Sequence, residues 1–167
     1  ELSTHGGSLR IFAEHADETA RPMTERARSL LQRELDAGYG SIDGYAGYQA
    51  KVDRTKHALL SFLIDAKRSG KRIAAYGAPG KGNTLLNYCA IRRDFIDFAV
   101  DANPYKHGRF TPGTRIPILA PSALRDARPD YVLILPWNLR EEISRVASYV
   151  SDWGGRFVVP IPEVTVL

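Results

Sequence analysis

The sequence predicts an α/β fold, a mostly parallel sheet flanked by helices, on three observations. After Gly70, strand-like and helix-like patterns alternate. The strand-like stretches are continuously apolar, as strands covered on both faces are. The first of them runs through a glycine-rich turn straight into a helical pattern.

Residues 1–14 read as a turn, His5-Gly6-Gly7, and a strand from Ser8 to Ala13 with no obvious partner in the remaining sequence. They are expected to be the end of a preceding domain, and the start at Glu1 rather than Met suggests a fragment of a longer protein. A helix is expected from Glu18 to Ala37, where Met23, Ala27, Leu30, Leu31 and Leu35 make an apolar stripe and Gly38 ends it. Tyr39 to Tyr48, rich in Gly and Tyr, reads as a connector. A second helix, from Tyr45 or Gln49 to Arg68, has Val52, Leu59, Phe62, Leu63 and Ala66 on one face. Residues 15–70 are therefore expected to be a helical connector packing on a domain formed by 71–167.

Within that domain, a strand is expected at Arg72–Tyr76, then the glycine loop, then a helix at Asn83–Ala90. A second strand at Phe95–Val100 leads into the polar loop Asp101–Arg109. Thr111-Pro112-Gly113-Thr114 reads as a turn in an extended arm that returns at Ile116-Pro117-Ile118. A short helix at Pro121–Ala127 precedes a strand at Tyr131–Leu135. The last helix, Leu139–Trp153, repeats apolar residues at Leu139, Ile143, Val146, Ala147, Val150 and Trp153, and Gly154-Gly155 stops it before a strand at Arg156–Pro160.

The composition bounds the function. With 167 residues, 44% apolar and 25% charged, the chain has the make-up of a soluble globular protein. A net charge of +4 and a pI near 9.3 lean toward anionic ligands. Lys and Arg are scattered rather than gathered, which disfavours nucleic acid as the partner. The lone cysteine, Cys89, excludes an internal disulfide and fits a reducing, cytoplasmic setting. Its apolar neighbours place it in the core rather than at a catalytic centre. The sequence has no apolar run long enough to cross a bilayer and no histidine spacing of a zinc site, so neither a membrane nor a metal is expected.

The glycine turn carries the strongest chemical signal. A helix start leaves backbone N–H groups unpaired and a partial positive charge, so an anion fits there. Gly77, Gly80 and Gly82 allow tight turning and close approach; Lys81 adds charge, and Asn83 or Thr84 can cap the helix. A plain strand-to-helix turn explains the same glycines. The spacing Gly77-x-x-Gly80-x-Gly82 inverts the dinucleotide pattern, and the Walker pattern fails because Lys81 precedes Gly82. ATP or GTP hydrolysis is not expected.

In an open parallel sheet, the ligand crevice lies outside the carboxyl ends of the strands. Asp101, 24 residues after Gly77, stands where a nucleotide-binding acid meets a ribose hydroxyl, and Asn103 follows it; turn formation before Pro104 is the plainer role. Lys106, His107 and Arg109 form a basic cluster suited to a diphosphate, or a solvated charged loop. Trp137 and Asn138 follow the third strand, where Trp137 stacks on a ligand or packs in the core. No catalytic triad or paired carboxylates are evident, so no catalytic residue is assigned.

Four segments in order, Thr4–Arg10, Tyr76–Tyr88, Asp101–Arg109 and Leu133–Asn138, resemble the C-terminal domain of S-adenosylmethionine-dependent sugar C-methyltransferases. The resemblance covers nearly the whole chain and implies a Rossmann-like domain. By resemblance, a zinc-binding region and a methyltransferase domain precede it, and a nucleotide-linked deoxyketosugar lies between the last two domains. His5-Gly6-Gly7-Ser8 would then begin the methyltransferase domain's last strand. The family's zinc cysteines, cofactor glycine motif and Tyr-His-Glu-His segment are absent from this chain. S-adenosylmethionine and the catalytic base are thus expected outside it.

The resemblance implies a substrate-side domain, with Gly77, Gly80, Lys81, Gly82, Asn83, Thr84, Asp101, Asn103, Lys106, Arg109, Trp137 and Asn138 as its expected binding residues. Expected partners are the sugar nucleotide, the missing methyltransferase domain and, through an exposed Ser8–Ala13 edge, a second copy. A standalone nucleotide- or coenzyme A-binding module and a nicotinamide oxidoreductase are the other readings of the same residues.

Overall fold

The computed structural model describes residues 1–2, 7–17 and 22–167. The chain divides into two compact units, Glu1–Val52 and Asp53–Leu167.

In the first unit, Ser8–Ala13, expected as a strand without a partner in this chain, joins no sheet. Only an isolated antiparallel bridge joins Leu2 to Ser8. No neighbouring strand among the described residues takes the backbone groups beyond Ser8, in keeping with a segment expected to lack a partner within this chain. His5 and Gly6 of the expected turn lie outside the described residues, as do Glu18–Arg21 of the expected first helix. That helix, α1, runs over Glu25–Asp36 and starts where the Thr24 hydroxyl accepts the Ala27 N–H at 3.3 Å. It stops where Gly38 takes φ +83°. None of its residues is buried. The Gly/Tyr connector holds a 3-10 turn, Ile42–Tyr45, with Tyr39 and Tyr45 stacked at 5.5 Å.

Helix α2 runs over Tyr48–Arg68, close to the expected bounds, and the boundary between the units falls inside it. Leu59, Leu63 and Ala66 recur at spacings of four and three and are its buried residues.

The second unit is built on a six-stranded sheet. Its strands are β1 Ile73–Tyr76, β2 Ala99–Val100, β3 Ile118–Leu119, β4 Tyr131–Ile134, β5 Arg156–Val159 and β6 Thr165–Val166. They lie in the order β3-β2-β1-β4-β5-β6, all parallel except β6, which runs antiparallel to β5. This is the doubly wound, Rossmann-like order, in which the chain reverses direction between β1 and β4.

The alternation of side chains along each strand makes two cores. Ile73, Ala75, Leu133, Leu135 and Val158 face one layer, with Leu59 and Leu63 of α2 and Leu85, Leu86 and Cys89. Ala74, Tyr76, Val132, Ile134, Phe157 and Val159 face the other, with Leu124, Ile143, Ala147 and Val150. Burial on both faces is why the strands read as continuous apolar runs. At the opposite, amino-terminal end of the sheet, the Asp130 carboxylate accepts the Arg72 N–H and the Lys71 ammonium, each at 2.9 Å, tying β1 to β4.

Three expectations change. The sheet has six strands rather than four, because the Ile116–Ile118 arm leads into β3 and the carboxyl-terminal residues pair as β6. Two-residue strands are too short for a periodic pattern to register. The helix after the glycine turn, α3, spans Gly80–Tyr88 and so starts three residues earlier than expected. The long last helix is broken: α5 covers Arg140–Val146, and a 3-10 helix follows over Ser148–Trp153. Ala147, Val150 and Trp153 are three apart, a spacing that shares one face in a 3-10 helix. Trp153 is anchored there by its indole N–H, which donates to the Pro129 carbonyl at 2.9 Å. The short helix α4 spans Ala123–Ala127.

Candidate functional site

The carboxyl ends of β1, β2 and β4 converge at the reversal point of the sheet. Gly77 leaves β1 with φ +82°, and a Cβ there would come within 2.6 Å of Pro136 Cδ. Its N–H donates to the Val100 carbonyl at 2.6 Å, so the turn is fastened to β2. Gly82 serves packing instead: a Cβ would lie 2.8 Å from Leu135 Cβ, so α3 sits close on β4 only with glycine. Gly80 has open space around it.

Because α3 begins at Gly80, the residue at its N-cap is Pro79, and neither Asn83 nor Thr84 caps it. The Thr84 hydroxyl donates to the Gly80 carbonyl at 3.2 Å, and Asn83 Oδ1 is buried without a partner among the described residues.

The two lysines expected to face an anion both have internal partners. Lys81 Nζ donates to Asn138 Oδ1 and lies 4.6 Å from the centre of the Trp137 ring, so these three residues meet. Lys106 Nζ donates to Asp101 Oδ2 at 2.8 Å and to the Ala78 carbonyl at 3.2 Å.

Asp101 organises the neighbouring loop. Its Oδ2 also accepts the Ala78 N–H at 2.8 Å, and its Oδ1 accepts the Asn103 N–H at 2.9 Å. Burial alone would push its pKa up; the hydrogen bonds from Lys106, Asn103 and Ala78 outweigh this and hold it below the ordinary carboxylate value. Asn103 in turn caps the turn Pro104–Lys106 by accepting the Tyr105 N–H at 3.0 Å. His107 Nε2 is 2.7 Å from the Asp101 carbonyl oxygen. Arg109 is exposed, with no side-chain hydrogen bond or ion pair among the described residues.

A cleft of about 340 Å³ opens beside this loop. Tyr76, Gly77, Asp101 and Lys106 form one wall, and Leu139, Glu142, Ile143 and Val146, from α5 and the turn before it, form the other. Of the expected binding residues, only Gly77, Asp101 and Lys106 line it. Gly80, Lys81, Gly82, Asn83, Thr84, Asn103, Arg109, Trp137 and Asn138 lie outside its lining.

Sequence reasoning missed Tyr76, Leu139, Glu142 and Val146. Leu139 and Val146 share the helical spacing of the buried Ile143, Ala147 and Val150, yet they are 43% and 61% exposed. The available signal was topological: in a doubly wound sheet, the helix after the strand beyond the reversal point walls the crevice.

Burial, with lesser contributions from Tyr149, Asp101 and Glu142, raises the Tyr76 pKa, so its phenol remains a hydrogen-bond donor at neutral pH. Cys89 is buried, and burial pushes its thiol pKa up despite Lys56. Among the described residues, no group of three or more His, Cys, Asp or Glu is placed to hold a metal, and no helix is long and apolar enough to cross a membrane.

Over residues 3–162 the sequence matches the family described as the C-methyltransferase C-terminal domain. It is 35% identical over 165 residues to the C-methyltransferase NovU of Streptomyces niveus, covering 98% of this chain and 39% of that protein. The chain thus spans about two fifths of this curated relative's length. Among solved structures, the crystal structure of UDP-D-quinovosamine 4-dehydrogenase from Vibrio fischeri is similar at 20% identity and a TM-score of 0.41, over 56% of this chain and 79% of that one.

Proposed function

Since the chain belongs to the C-methyltransferase C-terminal domain family, we propose that it is the substrate-side domain of an S-adenosylmethionine-dependent enzyme that methylates a carbon of a nucleotide-linked deoxyketosugar. The observation carrying this reading is the cleft at the carboxyl ends of β1 and β4, whose lining offers the hydrogen-bonding groups of Tyr76, Asp101, Lys106 and Glu142. In this reading residues 1–14 complete the preceding methyltransferase domain, 15–70 connect, and 71–167 hold substrate in the cytoplasm.

The residues at the reversal point do not fit S-adenosylmethionine or a dinucleotide. The acid that would take ribose hydroxyls already accepts two backbone N–H groups and the Lys106 ammonium. The methyl donor and the base that forms an enolate are therefore assigned to the preceding domain. This domain's task is to hold the substrate in position for them.

The diphosphate is assigned to the first turn of α3, where Gly80 and Lys81 present backbone N–H groups, with the Lys81 and Arg109 side chains adding positive charge. Calorimetry on the full-length enzyme tests the assignment. Lys81→Ala and Arg109→Ala are expected to weaken a sugar nucleotide about tenfold each, the scale of one charge-assisted hydrogen bond. Unchanged affinity in both would remove the anchoring role. Tight binding of coenzyme A or NAD by the isolated chain would favour a standalone binding module instead, and tight binding of S-adenosylmethionine would contradict the domain assignment.

A further inference from the structure

The substrate-side function leaves open which part of the ligand this domain touches. We infer that the cleft between β1 and α5 takes a neutral, hydroxyl-bearing ring of the sugar nucleotide, with the Tyr76 hydroxyl and the Glu142 carboxylate reading it; this rests on the function proposed above.

Tyr76 is only 8% exposed and lines the cleft, yet its hydroxyl has no hydrogen-bond partner among the described residues. The oxygen is not among the fully buried polar atoms left without a partner, so it opens to the cleft and is free to meet a ligand there. Across from it, in the first turn of α5, Glu142 also lines the cleft, and its carboxylate has no hydrogen bond or ion pair among the described residues. The raised Tyr76 pKa, to which both Asp101 and Glu142 contribute after burial, agrees with these groups facing one space.

The charge balance selects the ligand. Lys106, the cation in the lining, is already paired with Asp101 at 2.8 Å, which leaves Glu142 as the uncompensated charge. A phosphate entering here would meet a carboxylate with no free cation opposite. A ring with vicinal hydroxyls meets complementary groups: a carboxylate accepts two O–H bonds, and a protonated phenol donates one. Pro79, Pro136, Leu139 and Val146 supply apolar surface for the C–H faces of such a ring. A volume of about 340 Å³ suits one substituted ring rather than a whole nucleotide sugar. The sugar and the ribose of the nucleoside share this chemistry.

The test is calorimetry on the full-length enzyme and its Tyr76→Phe and Glu142→Gln variants, each checked for an unchanged melting temperature. The probes are dTDP- and UDP-linked deoxyketohexoses, the matching nucleoside diphosphates, and inorganic pyrophosphate. Tyr76→Phe is expected to weaken the sugar nucleotide about threefold to tenfold and Glu142→Gln about tenfold or more, leaving pyrophosphate unaffected. A loss confined to the sugar nucleotide identifies the sugar as the occupant; a loss shared by the nucleoside diphosphate identifies the ribose. Unaltered sugar-nucleotide affinity in both variants, or an equal loss for pyrophosphate, overturns the inference while the substrate-side function stands. Failure of the unaltered enzyme to bind any of the sugar nucleotides overturns that function instead.

Discussion

Replacing Lys106 with methionine retains most of the side chain's length but removes the ammonium that Asp101 Oδ2 and the Ala78 carbonyl share. Asp101 is 8% exposed, so the change leaves a buried carboxylate supported only by the Ala78 and Asn103 N–H groups. Breaking a fully buried pair costs about 3–5 kcal/mol. The Lys106 side chain keeps 35% of its surface in water, which screens the interaction, and the two backbone donors remain. A loss of about 2 kcal/mol follows, or about 8 °C in Tm at about 4 °C per kcal/mol for a domain of this size.

The effect must also depend on pH. Asp101 has a folded-state pKa below its ordinary 3.8. A depressed carboxylate pKa contributes stability that is present above the unfolded value and lost as pH falls through the folded one. The gap between the unaltered protein and Lys106→Met is therefore full at pH 7 and shrinks below about pH 3.8. Urea unfolding at pH 7 and pH 3 reads both numbers. Equal stability at pH 7, or a gap that does not change between the two pH values, would refute the proposed lock on the β1 turn.

Two glycines of the same turn should behave oppositely. Gly77→Ala forces φ +82° on alanine and a clash with Pro136, and is expected to cost about 3 kcal/mol in urea unfolding. Gly80→Ala meets open space in the first turn of α3 and should be neutral or stabilising by up to about 1 kcal/mol. Cys89, 2% exposed with a raised pKa, should react with a thiol reagent at pH 8 about a thousandfold more slowly in the native protein than in urea. Native labelling at the urea rate would remove it from the core.

The strands that were legible in the sequence are the ones covered on both faces. Ile73–Tyr76 and Tyr131–Ile134 stand out because every position is apolar. Ile118–Leu119 and Thr165–Val166 carry no such pattern and become strands only because β2 and β5 offer them a backbone edge. The reverse happened at Ser8–Ala13, where strand-like residues have no edge to pair with among the described residues. Leu139 and Val146 fit the helical stripe by spacing, yet they line the cleft from the turn before α5 and from its last residue.

From the sequence alone came the class of the fold, the glycine turn at the end of its first strand, and the segments that mark the family. Each depends on local periodicity, on backbone freedom or on residue identity. The partners of Lys81, Asp101 and Lys106 were decided by tertiary structure, because Asn138, Ala78 and the end of β2 reach them only when β1, β2 and β4 lie side by side. That juxtaposition gave each of them an internal tie. It also left Tyr76 and Glu142 as the groups with unused hydrogen-bonding capacity facing the cleft.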